Sequence, residues 1–251
     1  MSPTLAFALS ANWPAYCYAK PVKFLGVIPA RGDSKGIPRK NLAPLAGKPL
    51  LLYTCEAAKK SALLTRTIIS TDNEEIAEAG RKSGVDVPFL RPKELAKDET
   101  PILPVLQHIL TELQKAGESY DAVVLLQPTS PLRTAMHIDD AVRLFEDSGA
   151  DTVVSVIEVP HRYNPSSLMK MDGDTLIPYR DGDMVLRRQE KEQLYARNGP
   201  AILIVRSRVL LEDETLYGKK CKPYVMDRLS SADIDDEIDL AMTEILLSRR
   251  G

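Results

Sequence analysis

The sequence predicts an α/β domain built on a mainly parallel, doubly wound sheet, with a small inserted dimerisation subdomain. Short apolar runs alternate with longer segments of helical apolar spacing, the order that lays parallel strands between two layers of helices. Polar and charged residues that fit neither pattern fall just after the apolar runs. Those are the carboxyl ends of the strands, where such sheets bind ligands. The alternation breaks between Val156 and Tyr195, which marks the insertion.

Met1–Pro21 is mildly apolar, lacks a basic start and is broken by Asn12 and Pro14, so it reads as an N-terminal extension rather than a signal peptide. Residues 22–251 form the domain. Phe24–Ile28 is its first strand, followed by Thr67–Ser70, Val87–Leu90, Ala122–Leu126, Thr152–Val156 and Ala201–Val205. The helices are Leu50–Lys60, Glu74–Ser83, Ile102–Lys115, Ala135–Asp147 and Asp236–Arg249. Asp72-Asn73-Glu74-Glu75 resembles an N-cap with an acid three residues on, and Thr134 caps the helix after Arg133. Residues 157–197 hold Pro160, Pro165 and Pro178, a turn at Asp172-Gly173-Asp174 and the basic pair Arg187-Arg188. They are too rich in Leu, Met, Val and Tyr for a linker, and structureless loops of that length are uncommon in compact domains. They read as a β-rich subdomain suited to a dimer contact; a long solvated excursion is the alternative.

Composition narrows the function classes. The chain has 251 residues, 44% apolar and 27% charged, an ordinary globular make-up. Its net charge of −2 offers no global field for nucleic acid. No apolar run is long enough to span a membrane. Cys17, Cys55 and Cys221 fit neither a zinc spacing nor a disulfide framework, which points to a reducing cytoplasm. Cys55 falls on a helix as a small core residue. His108, His137 and His161 are scattered too, which argues against a histidine metal site. No Ser sits in G-x-S-x-G, and no Cys/His arrangement suggests a nucleophilic hydrolase.

Three clusters carry chemistry. The loop after the first strand, within Val27–Asn41, holds Arg31, Lys35, Arg39 and Lys40 against one acid, Asp33. Gly32 and Gly36 let its backbone approach a ligand, and its N–H groups with a helix start beyond favour an oxyanion. It is neither a Walker A loop nor G-x-G-x-x-G, and a solvated basic loop is the alternative. Gln127-Pro128-Thr129-Ser130-Pro131 is a stiff turn that displays an amide and two hydroxyls, groups that orient a hydroxylated or carboxylated substrate. Asp233 and Asp235 lie two apart and share a face in extended chain, which suits Mg²⁺ held together with substrate phosphates. An acidic entry to the last helix is the alternative, and Asp236, Glu237 and Asp239 favour that helix start.

Together these segments resemble the CMP-sialic acid synthetases (acylneuraminate cytidylyltransferases). Arg31–Asn41 is similar to the family's signature loop, Leu126–Arg133 to its second motif and Asp233-Ile234-Asp235 to its metal motif. Ser70-Thr71-Asp72 and Leu90-Arg91-Pro92 match in order. The resemblance runs from about Phe24 to Leu247 and implies a nucleotidyltransferase of Rossmann-like fold. The implied reaction joins CTP and a nine-carbon 2-keto sugar acid into a CMP-sugar, releasing pyrophosphate as the anomeric hydroxyl attacks the α-phosphorus. By the match, Arg31 and Lys40 contact the triphosphate and are catalytic together with Asp235. Ala30, Ser34, Lys35 and Asn41 help hold the nucleotide, and Arg91 lies near the cytosine or ribose. Gln127, Thr129 and Ser130 face the sugar, Arg188 lies near its carboxylate, and Asp233 and Asp235 hold Mg²⁺. The family's inserted subdomain commonly reaches into a partner's site, which implies a homodimer.

The chain departs from the family's pattern at three places. Ile102 stands near the expected base site where members often carry a small hydroxyl residue. Asn198-Gly199-Pro200-Ala201-Ile202 replaces N-G-A-x-Y, and Pro165-Ser166-Ser167 replaces Pro-x-Lys. The sugar is therefore open between sialic acid, another nonulosonic acid and an eight-carbon Kdo-like acid. A sugar-1-phosphate nucleotidyltransferase using another NTP and a silent sugar-nucleotide-binding subunit are further alternatives.

Overall fold

The computed structural model describes residues 21–180 and 187–249. The expected extension, apart from Pro21, and residues 181–186 of the insertion lie outside the described residues. Strand β1 (Phe24–Pro29) leads through a long loop, with one 3-10 turn at Lys40–Leu42, into a hairpin of β2 (Pro44–Leu45) and β3 (Lys48–Pro49). Helix α1 (Leu50–Lys60), β4 (Arg66–Ser70), α2 (Glu74–Lys82), α3 (Ile102–Lys115), β5 (Ala122–Leu125), α4 (Ala135–Ser148) and β6 (Thr152–Glu158) follow. The insertion carries a second hairpin, β7 (Met169–Asp172) and β8 (Thr175–Pro178), and ends in β9 (Tyr195–Arg197). Then come β10 (Leu203–Arg206), α5 (Ser207–Leu211), β11 (Cys221–Val225) and α6 (Glu237–Ser248).

The main sheet has the order β11-β6-β10-β5-β1-β4, with β9 paired to β6. Strands β4, β1 and β5 are parallel, as are β6 and β11. Alternate side chains point to opposite faces and divide the core in two. Leu25, Val27, Val123 and Leu125 pack on one face with Val105, Leu106 and Ile109 of α3. Phe24, Ile28 and Val124 pack on the other with residues of α1, α2 and α4, where Phe24 meets Phe145 edge-on at 5.8 Å. Each fully buried Leu, Ile or Phe contributes about 1.5–3 kcal/mol.

Caps and turns define the ends. Thr134 and His137 form a capping box on α4, which stops at Gly149 in the left-handed region. Asp236 and Asp239 do the same for α6, so the last helix begins one residue later than expected. On α2 the cap is Asn73, which accepts from the N–H groups of Glu75 and Ile76. Asp72 instead accepts from the Gly32 N–H at 2.9 Å, tying the cationic loop to the end of β4.

Some elements differ from expectation. Val87–Leu90 forms no strand; only Asp86 makes an isolated bridge, to Ile68. Pro88 has no N–H to offer a ladder, and Val87 is buried as a core residue all the same. The strand expected at Ala201–Val205 is Leu203–Arg206, antiparallel to both neighbours. Among the described residues of the insertion there is no crossover helix; β9 pairs antiparallel with β6, and the chain runs back along the sheet into β10. Edge strand β11 was not foreseen, because Cys221, Lys222 and Pro223 are exposed and show no apolar alternation. In the insertion, β7 and β8 turn at Gly173, where the turn was expected, and β9 returns the chain to the sheet. Cys55 is buried, and burial pushes its thiol up to about 11, so it is unreactive.

Candidate active site

The loop after β1 is held in shape from beneath. Ile37, Leu45, Leu50 and Ile234 form a small core of their own that joins the loop to the segment before α6. At Gly36 an added Cβ would lie 2.1 Å from the Asp235 carbonyl oxygen, so that approach needs glycine. Asn41 is buried and donates from Nδ2 to the Arg31 carbonyl at 2.9 Å, and Ser34 Oγ accepts from the Lys40 N–H at 3.2 Å. The expected help from a helix start is missing. The β2–β3 hairpin separates the loop from α1, and the Leu50 N–H already donates to the Ala43 carbonyl.

Other elements supply the acids that the loop lacks. Arg31 pairs with Asp98, and Lys35 lies 3.4 Å from the same carboxylate. Arg39 turns away to Glu75. Lys40 donates to the Ile234 carbonyl at 2.8 Å and sits 3.6 Å from Asp235, with its side chain only 13% exposed. Arg31, Lys35 and Lys40 line one cleft of about 460 Å³, together with Gln127, Thr129 and Asp235. Ser34, Asn41, Arg91 and Ile102 complete its wall. Arg91 is buried and donates to Ser70 Oγ at 3.1 Å and to the Ser70 carbonyl at 2.6 Å; burial pulls its pKa down to about 10. It remains a cation at neutral pH.

The turn after β5 is braced by Arg133. This buried guanidinium donates to the carbonyls of Gln127 at 3.1 Å and Ala201 at 2.7 Å, and to Thr54 Oγ1 at 2.7 Å. The Ile234 N–H donates to the Thr129 carbonyl at 2.9 Å, so the turn and the aspartate segment are one unit. Asp233 and Asp235 do not share an environment, contrary to expectation. The Asp235 side chain is 83% exposed beside Lys40. Asp233 turns inward, since an added Cβ on Gly199 would lie 3.2 Å from its Oδ2. Burial pushes the Asp233 carboxyl up, and its Oδ1 is buried with no hydrogen-bond partner. The orphaned oxygen suits a hard divalent cation, but Asp233 does not line the cleft that Asp235 lines, so the two share an ion only if the exposed Asp235 side chain turns inward. Among the described residues no group of three or more His, Cys, Asp or Glu is disposed to hold a metal, so such an ion would need substrate oxygens as well.

Of the residues singled out in the sequence, Arg31, Ser34, Lys35, Lys40, Asn41, Arg91, Gln127, Thr129 and Asp235 meet in this cleft. Ala30 does not line it: the residue is buried, and its N–H donates to the Ser70 carbonyl. Ser130 is fully buried behind the turn, near Gly199, its hydroxyl without a partner. Arg188 stands apart in a second cleft, with Arg162, Lys191, Arg228 and Asn164. Asp98 and Arg133 were missed as functional residues. Asp98 lies in a stretch of mixed charge that carries no sign of its reach to Arg31, and Arg133 falls within the second motif but no local signal marks it as the brace of the turn.

A family model described as Cytidylyltransferase matches residues 25–246. The chain is 36% identical over 229 residues to CMP-N,N'-diacetyllegionaminic acid synthase of Legionella pneumophila, covering 90% of this chain and 97% of that protein. It is 34% identical over 230 residues to N-acylneuraminate cytidylyltransferase of Escherichia coli, covering 91% of this chain and 53% of that protein, about half its length. Among solved structures, a CMP:2-keto-3-deoxy-manno-octonic acid synthetase complexed with CTP superposes with a TM-score of 0.68. That match covers 91% of this chain and 100% of the other at 15% identity, a likeness of fold.

Proposed function

The chain belongs to the cytidylyltransferase family, and from that premise we propose that it transfers CMP from CTP to the anomeric hydroxyl of a nonulosonic acid, a nine-carbon 2-keto sugar acid. One observation carries this reading. Arg31, Lys35 and Lys40 line a single cleft together with Gln127, Thr129 and Asp235. The hydroxyl oxygen forms a bond to the α-phosphorus, the bond from that phosphorus to the β-phosphate's bridging oxygen breaks, pyrophosphate leaves, and the hydroxyl proton is released. Such a transfer needs positioning and charge neutralisation rather than a covalent intermediate. Arg31, Lys35 and Lys40 neutralise the triphosphate, and Arg91 bounds the nucleoside end. The Gln127 amide and Thr129 hydroxyl orient the sugar, while the Asp98 segment and Ile102 close the cleft wall.

Asp233 and Asp235 would hold Mg²⁺, which when bound supplies further neutralisation of phosphate charge. The orphaned Asp233 Oδ1 supports that assignment. We assign the protein to the cytoplasm: no helix among the described residues is long and apolar enough to cross a membrane, and nothing points to a nucleic-acid partner. We further propose a homodimer joined through the insertion, where Met169, Met171, Leu176 and Tyr179 are exposed together on and beside the β7–β8 hairpin. In that arrangement Arg188 of one protomer serves the sugar carboxylate in its partner's cleft.

The test is product identification with CTP, Mg²⁺ and a panel of acid sugars, reading the CMP-sugar by mass. A CMP conjugate of a nine-carbon acid is the expected product. A conjugate of an eight-carbon acid alone would move the substrate to the Kdo class, and no conjugate with any acid would overturn the reading.

A further inference from the structure

Asp98 stands on the segment between the 3-10 turn ending at Leu95 and helix α3, outside every motif discussed so far. Its carboxylate pairs with Arg31 and lies 3.4 Å from Lys35. Lys40, another of the cleft's cations beside Arg91 and Lys97, is held by Asp235 and the Ile234 carbonyl. Two of the charges that would receive phosphates, Arg31 and Lys35, are thus already matched by one carboxylate from another element. Burial alone would push the Asp98 carboxyl up, but Arg31 and Lys35 hold it below the usual carboxylate range, so it stays ionised at any working pH.

We propose that Asp98 is a resident counter-anion of the phosphate site, which polyphosphate ligands must displace, and that it sets ligand selectivity by phosphate charge. A triphosphate or pyrophosphate offers enough charge to replace both ion pairs. A nucleoside without phosphates brings no negative charge to exchange for the carboxylate, so its binding should depend little on Asp98. When pyrophosphate leaves, the carboxylate re-pairs with the two cations and opposes rebinding. Specificity of this kind comes from a competing interaction rather than an added contact. The identity of the nucleotide rests on the proposed function; the competition itself needs only an anion.

The experiment is calorimetric titration of wild type, Asp98→Asn and Asp98→Glu with CTP, inorganic pyrophosphate and cytidine. Partly exposed ion pairs are each worth little, and two together correspond to about threefold to thirtyfold in affinity. Asp98→Asn should tighten CTP and pyrophosphate by that factor and leave cytidine within about twofold. Asp98→Glu, which keeps the charge, should stay near wild type. Unchanged or weaker pyrophosphate binding in a folded Asp98→Asn protein would overturn the proposal, as would an equal gain in Asp98→Glu. Pyrophosphate binding without CTP binding in wild type would instead overturn the cytidylyltransferase reading and leave the counter-anion to be judged on pyrophosphate alone.

Discussion

Replacing Arg133 with lysine keeps the charge of the strut and removes its fork. The guanidinium is 2% exposed and has no carboxylate beside it. Burial pulls its pKa down to about 9, so it is positive at neutral pH. Its charge is stabilised by the Gln127 and Ala201 carbonyls and the Thr54 hydroxyl, which belong to the turn after β5, the approach to β10 and helix α1. A lysine ammonium on a narrower stem reaches one of these three. Two charge-assisted hydrogen bonds are then lost at about 1.5–3 kcal/mol each, or about 3–6 kcal/mol in all. For a chain of this size that lowers Tm by about 6–24 °C. Thermal and urea unfolding read the stability, and steady-state kinetics read the site. Because Gln127 loses its brace while Arg31 and Lys40 do not, the sugar KM should rise more than the CTP KM. A Tm within about 2 °C of wild type would refute the claim that Arg133 holds the turn.

Three further outcomes are expected. Lys40→Ala should lower turnover about 10²–10³-fold, because one preorganised cation is lost from the cleft, and lower Tm by about 3–12 °C, because the charge-assisted bond to the Ile234 carbonyl is lost with it. In Asp233 the folded carboxyl is raised above its ordinary value of 3.8, so keeping it ionised costs stability as pH rises through 3.8 and beyond, and costs nothing below. Asp233→Asn should therefore raise Tm at pH 7, an advantage that fades as pH falls to 3.8, while Mg²⁺-dependent turnover collapses; a lower Tm at pH 7 would contradict the sign. Gly36→Ala puts a Cβ 2.1 Å from the Asp235 carbonyl. It should destabilise by about 1–3 kcal/mol and raise the CTP KM, as measured by unfolding and initial rates.

The helices were legible because each carries its own periodicity and cap, as Thr134 does for α4. The strands with β-branched runs were legible for the same local reason. What sequence could not convey was direction and partnership. Strand β10 reads like any other apolar run, and only the way the insertion returns to the sheet makes it antiparallel. Pro88 interrupts an apolar run whose side chains are buried anyway, so hydrophobicity suggested a strand that the backbone cannot make. Cationic Arg31, Lys35 and Lys40 suggested a phosphate site by composition, and they do line one cleft. Asp98, which opposes two of them, lies 67 positions from Arg31, and nothing local marks that pairing. Asp233 and Asp235 alternate in sequence, yet the Thr129 contact and the close approach at Gly199 draw one inward and leave the other exposed.

The most direct test of the account is pyrophosphate release with a nonulosonic acid and Mg²⁺, compared across CTP, UTP, GTP and ATP. Release with CTP, at rates well above the other three, is the predicted result. Release with another nucleotide and a sugar 1-phosphate, and none with CTP and any acid sugar, would contradict it.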